Sequence, residues 1–285
     1  MHPRLHAELE RLYASTDFAA YMGRDPVAFA HRYQAPGDQE RAATLAALLA
    51  FGKVDLFRPV LARLFDHMDA AGGPAAWVAS FDAEAEAEFL ATVQYRWVRG
   101  GDLSLLFATL RDVGLLGPRV EAAFRGDLRA ALTEVVADLR RRAVQHACLP
   151  GFGDLSHGLR HLLASPATGG ASKRWNLLLR WMVRSPDAEG VDLGLWKLPT
   201  SALVIPLDTH VARISRLVGL TARRSSGWKT AVEITEALAT LDPSDPLRFD
   251  FAIAHLGISR ACEGRFVDAV CPGCPLHRVC AATMV

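Results

Sequence analysis

Hydrophobic positions recur along most of the chain with the three-to-four-residue spacing of amphipathic helices. Apolar side chains occupy positions 132, 135, 136, 139 and 143, with charged side chains between them. Apolar segments at 43–51 and 103–110 predict two buried helices. No segment alternates polar and apolar residues for long enough to predict a strand. The pattern therefore predicts an all-α fold.

Local signals predict where helices begin and where they are interrupted. Thr230 and Glu233 have the spacing of a capping box, which predicts a helix that starts at Thr230 and runs towards Leu241. Proline and glycine clusters predict interruptions at 36–38, 72–74, 100–101, 150–153, 166–170, 185–190 and 242–246.

Composition places the chain among globular proteins. It has 285 residues, of which 51% are hydrophobic and 22% are charged, so it can bury a sizeable core. The longest apolar runs, such as 45–51, are far shorter than the roughly 20 residues of a membrane span. The first residues do not have the pattern of a secretory signal. We therefore expect a cytoplasmic protein without a membrane partner.

The net charge of +1 hides an internal asymmetry. Residues 155–232 contain 11 basic and 4 acidic side chains, a net charge of +7, against −6 for the rest. This polarity favours a surface that faces an anion, with nucleic acid as the leading candidate. The alternative is a solvated face that neighbouring residues neutralise. Three basic side chains share one face of a predicted helix: Lys173, Arg180 and Arg184. This face would follow a DNA strand or would be the solvent side of the helix.

Four of the five cysteines lie close together near the end of the chain, in the pattern Cys262-x8-Cys271-x2-Cys274-x5-Cys280. This crowding is not a disulfide framework. Thiolates are soft donors, so zinc and iron–sulfur clusters are the two realistic occupants. The single short pair with longer spacers favours a [4Fe–4S] cluster, with zinc as the alternative. Cys148 stands alone and is expected to be a small buried residue.

The last two spacers of this loop resemble the cluster loop of endonuclease III and the adenine glycosylases, members of the helix-hairpin-helix DNA glycosylase superfamily. The first spacer is longer than theirs. The segment Pro206-Leu207-Asp208-Thr209-His210 resembles the Val-Asp-Thr-His segment that carries the superfamily's catalytic aspartate. The segment from Gly169-Gly170 through Lys173 to Asn176 resembles its hairpin and following helix, with Lys173 at the position of the catalytic lysine.

Two features depart from the superfamily pattern. The hairpin usually reads Leu-Pro-Gly-apolar-Gly, whereas this chain has Ser165-Pro166-Ala167-Thr168-Gly169-Gly170. Lys173 and Asp208 are 35 residues apart, further than in typical members, so residues 187–203 are interpreted as an insertion. The segments 179–184 and 206–211 also resemble a bacterial family catalogued only as a domain of unknown function, which we interpret as a distant branch of the superfamily.

The resemblance implies a two-lobed helix-hairpin-helix architecture. Residues 36–185 would form a helical barrel lobe with the hairpin, and 1–35 with 186–285 a second lobe carrying the cluster loop 262–280. It further implies base-excision repair by a monomeric, nucleoid-associated DNA glycosylase. The expected substrate is duplex DNA with a damaged or mismatched base, and lyase activity at abasic sites (β-elimination) is expected if a lysine attacks the sugar.

On this resemblance Asp208 stabilises the oxocarbenium-like transition state; from its position alone it is the N-cap of a helix, and the two roles are compatible. Lys173 would be the nucleophile, which requires a neutral amine; a phosphate contact is the alternative. Further DNA contacts are expected from Gly169, Gly170, Arg174, Arg180, Arg184, His210 and Arg213. Candidates to stack on an extruded base are Tyr95, Arg96 and Trp97, although buried aromatics are commoner.

Two other classes of function remain open at this point. A non-catalytic iron–sulfur protein of the same fold could bind DNA or RNA without chemistry. An iron–sulfur redox sensor or electron carrier is less favoured, because it requires neither the basic segment nor the Asp-Thr-His sequence.

Overall fold

The computed structural model of the chain describes residues 3–186 and 190–283, and this part is helical without a β-strand, which confirms the all-α prediction. Asp187 and Glu189, two of the acidic residues counted above, lie outside the described residues, as does the start of the predicted insertion. The α-helices are α1 (Leu5–Ser15), α2 (Phe18–Met22), α3 (Pro36–Leu49), α4 (Val54–Ala70), α5 (Pro74–Ala79), α6 (Ala87–Ala91), α7 (Gly100–Val113), α8 (Gly117–Ala123), α9 (Leu128–His146), α10 (His157–Leu162), α11 (Lys173–Val183), α12 (Thr209–Leu217), α13 (Trp228–Ala239) and α14 (Asp250–Ile258). Short 3-10 turns occupy Pro26–Phe29, Phe152–Asp154, Thr200–Ala202, Cys271–Gly273, His277–Val279 and Ala281–Thr283. None of the described helices is both long and apolar enough to cross a membrane.

Buried apolar side chains form two clusters. The first includes side chains of α3, α7, α9 and α11. The second combines α1 with α12, α13 and two residues of the cysteine-rich loop, Leu276 and Val279. Helix α14 contributes Phe251 to the first cluster and Ile253 to the second, so it lies at the junction between them.

Two segments of the predicted second lobe pack against the first cluster. The apolar side chains from Phe18 to Ala30 belong to this cluster. The segment 191–203 also packs there, because Trp181 O accepts from Leu193 N at 2.7 Å and Met182 O accepts from Trp196 N at 2.7 Å. The described part of the predicted insertion therefore packs on the last turns of α11 and not on its N-terminus.

Three predicted helix boundaries are wrong. Gly100 and Gly101, where an interruption is expected, are the first two residues of α7. The expected break at 36–38 is the start of α3, since Pro36 occupies the first turn, where a missing N–H costs nothing. Helix α13 begins at Trp228 after Gly227, and Thr230 lies inside it. The Thr230 hydroxyl donates to Ser225 O at 2.9 Å, a local bond that replaces the expected cap.

Helices α10 and α11 are joined by the turn at 163–172, and α11 then enters the first cluster. Every residue from Trp175 to Val183 is buried. Only the first two residues of α11, Lys173 and Arg174, are partly exposed. The start of α12 lies next to this end of α11.

Candidate functional site

Lys173 and Asp208 form an ion pair where α11 and α12 begin. Lys173 Nζ lies 3.1 Å from Asp208 Oδ2, and the two side chains are 36% and 15% exposed. Asp208 Oδ1 accepts from His210 N at 2.9 Å and from Val211 N at 2.8 Å, so it is also the N-cap of α12. The fold thus brings together the two predicted catalytic residues, although 35 positions separate them.

The surroundings of Asp208 keep it ionised. Burial raises the pKa of this carboxyl, but the Lys173 ammonium, the Val211 N–H and the charge of His210 lower it, and the net pKa lies below its ordinary value. A helix N-terminus stabilises a carboxylate in the same sense. Asp208 is therefore a fixed negative charge, with one oxygen committed to the helix and the other to Lys173.

The turn before α11 presents backbone N–H groups. Gly169 and Gly170 are exposed, and their N–H groups find no acceptor among the described residues. The carbonyls of the turn are occupied instead, since Arg129 donates to Pro166 O at 2.9 Å and to Thr168 O at 3.1 Å. Outward N–H groups of this kind are suited to an anion such as a phosphate.

The turn is held against the loop before α13. Trp228 N donates to Gly169 O at 3.0 Å, and the Arg129 guanidinium lies 4.3 Å from the Trp228 ring centroid. A Cβ atom at position 227 would lie 2.8 Å from Gly169 O, so this approach requires Gly227. Arg224 in this loop and Lys229 in the first turn of α13 are exposed, and the described residues provide no ion-pair partner for either.

Arg180 and Arg184 do not form the predicted DNA-facing surface. Their side chains are 3% and 7% exposed and pair with three aspartates. The paired aspartates are Asp192, Asp245 and Asp250. Arg180 lies in α11 and Arg184 follows its last residue, and both side chains contact aspartates in the interior, where a cation must be paired. Sequence spacing alone could not reveal this, since the partner aspartates lie up to 70 positions away.

Arg174 and Arg213 also point inward rather than towards a ligand. Arg174 donates to Leu48 O at 2.8 Å and to His161 O, and burial lowers its pKa to about 10. Arg213 donates to Cys262 O at 2.7 Å. Both guanidinium groups connect elements through backbone carbonyls, which corrects their prediction as DNA contacts.

His210, predicted to contact DNA, packs against α14. A Cβ atom at position 257 would lie 2.6 Å from His210 Cβ, so the two helices approach closely at Gly257. His210 Nδ1 is buried and has no hydrogen-bond partner in the described part of the chain. The ring therefore links α12 to α14.

The three candidate base-pocket residues lie on one tight turn but differ in exposure. Tyr95 and Val98 exchange backbone hydrogen bonds of 3.0 and 2.8 Å, and Arg96 between them has a left-handed φ of 51°. Tyr95 is buried with its hydroxyl donating to Phe51 O, so it is structural. Arg96 is exposed, with its guanidinium 4.6 Å from the Trp97 ring centroid.

Trp97 belongs to a group of rings beside the start of α11. It stacks with Phe51 at 5.5 Å between centroids and meets His161 edge-on at 5.1 Å. Burial and the positive charges of Arg174, His157 and Arg96 lower the pKa of His161 to about 4, so this imidazole is neutral at pH 7. Arg174, next to Lys173, links the group to the site.

All four cysteines of the C-terminal loop line one cavity. Leu217 of α12, Val267, Val270 and His277 line it as well. Val267 N lies 3.3 Å from Cys271 Sγ in an N–H···S contact. Within the described residues, no three His, Cys, Asp or Glu side chains are gathered closely enough to hold a single metal ion. Cys148, in contrast, is exposed, not buried as expected.

The thiols influence one another's titration. Burial raises the pKa of Cys274, and the other three loop cysteines raise it further. Burial likewise raises the pKa of Cys280, with Cys262 and Cys271 contributing. Arg213 connects this loop to α12, the helix that Asp208 caps.

A model of a family described as protein of unknown function matches residues 25–259, which is most of the chain. The chain belongs to the DUF2400 family. The DUF2400 match includes the Lys173–Asp208 pair, the glycine turn and the buried aspartates, and it ends before Cys262, the first cysteine of the loop. No curated protein and no solved structure matches the chain.

Proposed function

We propose that this protein is a base-excision DNA glycosylase whose site is the Lys173–Asp208 pair. The observation that carries the proposal is the 3.1 Å contact between a partly exposed amine and an ionised carboxylate. The contact lies beside a turn whose glycine N–H groups face outwards. The N–H groups are suited to the phosphates of a DNA backbone, and the carboxylate is suited to a reaction that develops positive charge.

Release of a base from DNA requires that the nucleotide leave the helix and that the sugar pass through an oxocarbenium-like state. The Asp208 carboxylate would stabilise that positive charge, since its own charge is fixed before the substrate arrives. Asp208 Oδ1 stays bound to the start of α12, so the oxygen nearer to Lys173 faces the sugar. Lys173 would hold that oxygen in place, or a phosphate beside it.

Lyase activity would need Lys173 as a nucleophile. Nζ would bond to C1′ as the bond from C1′ to the base breaks and the base leaves with the electron pair. Nζ must be a neutral amine for this attack. The contact with Asp208 Oδ2 favours the ammonium, so the ion pair must open and Nζ must lose a proton to solvent before it attacks. The proton that Nζ gives up after the attack would pass to O4′ as the C1′–O4′ bond opens, and the resulting Schiff base would permit β-elimination of the 3′ phosphate.

The DNA backbone would lie along the glycine turn and the loop before α13. The N–H groups of Gly169 and Gly170 and the side chains of Arg224 and Lys229 supply the contacts in place of the buried Arg180 and Arg184. Phosphate contacts of this type position the duplex without reading its sequence.

We further propose that the C-terminal loop binds a [4Fe–4S] cluster, with zinc as the alternative. Four soft thiol donors line one cavity, and the Val267 N–H is directed at Cys271 Sγ. Cys262, Cys271, Cys274 and Cys280 would be the ligands. A bound cluster would supply a metal–thiolate centre that organises the loop behind α12, with no part in base release.

Duplexes that each contain one damaged or mismatched base test the proposal, with release of the free base as the readout. We expect release from at least one duplex by the wild-type protein. Asp208→Asn should slow the rate by about 10²–10³-fold, since the cap is retained and the charge is lost. Duplex binding without release from any lesion would reject the glycosylase and favour a non-catalytic nucleic-acid-binding protein.

A further inference from the structure

A network of five charged side chains lies between the two apolar clusters; four of them are buried, and Asp245 is 22% exposed. Arg180 contacts Asp250 Oδ2 at 2.8 Å and Asp192 Oδ2 at 3.3 Å. Arg184 contacts Asp192 Oδ2 at 2.8 Å and Asp245 Oδ2 at 2.7 Å. Asp192 and Asp250 are 0% and 3% exposed.

This network is mechanically connected to the Lys173–Asp208 site on both sides. Arg180 lies two turns after Lys173 on α11, about 10 Å along the helix axis. Asp250 is the first residue of α14, and α14 packs closely against His210 of α12. The Arg180–Asp250 contact therefore fixes the helix that carries Lys173 relative to the helix that Asp208 caps.

The network is also connected electrostatically to Asp208. Burial raises the pKa of Asp250 to about 6; Arg180 opposes this, and the charges of Asp208 and Asp192 add to it. The negative charge of Asp25 also raises the pKa of Arg180. Asp250 Oδ1 is buried without a hydrogen-bond partner among the described residues. Asp208 therefore interacts electrostatically with Asp250.

We propose that Arg180 and Asp250 are a positioning pair for the Lys173–Asp208 site, which hold the amine and the carboxylate in contact and place a second negative charge behind Asp208. Buried ion pairs contribute little net stability, so geometry rather than stability is the expected role of this pair. The positioning role rests on the proposed glycosylase function only where it is tested by base release.

Asp250→Asn and Arg180→Lys are the test variants, since each conserves most of the shape. Asparagine removes the charge behind Asp208, and lysine keeps a cation but cannot reach two carboxylates as a guanidinium does. Asp245→Asn is the matched control, because it removes a charge from the same network at the end remote from Asp208. Circular dichroism establishes which variants fold.

The first readout needs no catalysis. Carbon-13 NMR of aspartate-labelled protein follows the titration of each carboxyl, and Asp208→Asn identifies the Asp208 signal. We expect the pKa of Asp208 to fall in Asp250→Asn, because a neighbouring negative charge is lost, and to stay unchanged in Asp245→Asn. An Asp208 titration that is the same in wild type and Asp250→Asn would overturn the proposal.

The second readout is the pH profile of single-turnover base release. We expect Asp250→Asn and Arg180→Lys to slow release by about tenfold to a hundredfold, while duplex binding is retained. Asp250→Asn should also change the pH dependence near pH 6, whereas Asp245→Asn should keep the wild-type profile. Wild-type rates and profiles in both test variants would overturn the positioning role. A wild-type protein that releases no base, but whose Asp208 titration responds to Asp250→Asn, would reject the glycosylase and support the pair.

Discussion

Asp208 uses its two carboxylate oxygens for two different contacts, one to the backbone of α12 and one to Lys173 Nζ at 3.1 Å. The N-cap and the predicted catalytic position are therefore the same side chain in the same conformation. A cap fixes the carboxylate at the helix N-terminus, where its charge is stabilised. The N-cap contact therefore holds the carboxylate in the place where the proposed chemistry requires a negative charge.

The two roles of Asp208 can be separated by substitution. Asn also caps helices well, so Asp208→Asn should unfold at nearly the wild-type temperature. Asp208→Ala removes the cap and should lose about 1 kcal/mol of stability. Thermal unfolding followed by circular dichroism measures both. Equal loss of stability in the two variants would mean that the ion pair with Lys173, not the cap, stabilises this region.

Lys173→Ala tests the nucleophile. If Lys173 forms a Schiff base, borohydride should trap a covalent complex of the wild-type protein with abasic-site DNA. The variant should lose the complex and keep most of its duplex binding, because other groups contact the backbone. Asp208→Asn should trap more slowly, since it lacks the negative charge that stabilises the oxocarbenium-like state. Trapping that survives in Lys173→Ala would assign the chemistry to another amine. A wild-type protein that releases a base without trapping would use water as the nucleophile.

Local pattern predicted the helical class and the shared face of Lys173 and Arg180, because both depend on spacing along the chain. It did not predict what that face contacts. Asp250 pairs with Arg180 from 70 positions away, and no local rule indicates that such a cation is buried. The helix start at Trp228 was missed for a similar reason, since its N–H bonds to Gly169, which is distant in sequence.

The contact between Lys173 and Asp208 was within reach of sequence only through resemblance to a known pattern. For the other predicted site residues, the burial and contacts of each side chain decide whether it is structural or available to a ligand. Tyr95 was predicted with Arg96 and Trp97, yet its hydroxyl is committed to Phe51 O. Arg129 and Trp228, which hold the glycine turn, carry no sequence signal of their own, since a lone arginine and a lone tryptophan fit many environments.

The cysteine loop should bind a metal–sulfur centre. We expect the anaerobically purified protein to be yellow-brown and to contain about four iron and four sulfide per chain. Cys274→Ser should lower the iron content and the solubility, because the loop loses its organising centre. Cys148→Ser is the control, since this cysteine is exposed and remote in sequence, and it should keep the wild-type iron content. Stoichiometric zinc without sulfide would replace the cluster by a zinc site.

Exposed cations in the loop before α13 and in the first turn of α13 should dominate the salt dependence of duplex binding. Affinity should fall as salt rises, with a slope of about −0.9 per phosphate neutralised. Arg224→Ala with Lys229→Ala should weaken binding to all sequences and reduce the slope by about 2. Arg24→Ala with Arg141→Ala removes the same charge from ion-paired residues outside the basic segment, at side chains that are 77% and 64% exposed, and should leave the slope unchanged. Equal slopes in the two double variants would place the DNA elsewhere.

His161 should make folding stability depend on pH. Its pKa is about 4 in the folded protein against an ordinary value of 6.5, chiefly because it is buried and secondly because of Arg174. Between these two pKa values the unfolded chain binds a proton at His161 and the folded chain does not. The contribution of His161 to the free energy of unfolding is therefore complete above pH 6.5 and is lost as the pH falls towards 4. His161→Phe keeps a ring against Trp97 and removes the titration. Chemical denaturation from pH 4 to 8 should show that the free energy of unfolding of the wild type, relative to His161→Phe, declines with acid across this interval. A constant difference would mean that His161 titrates alike in both states.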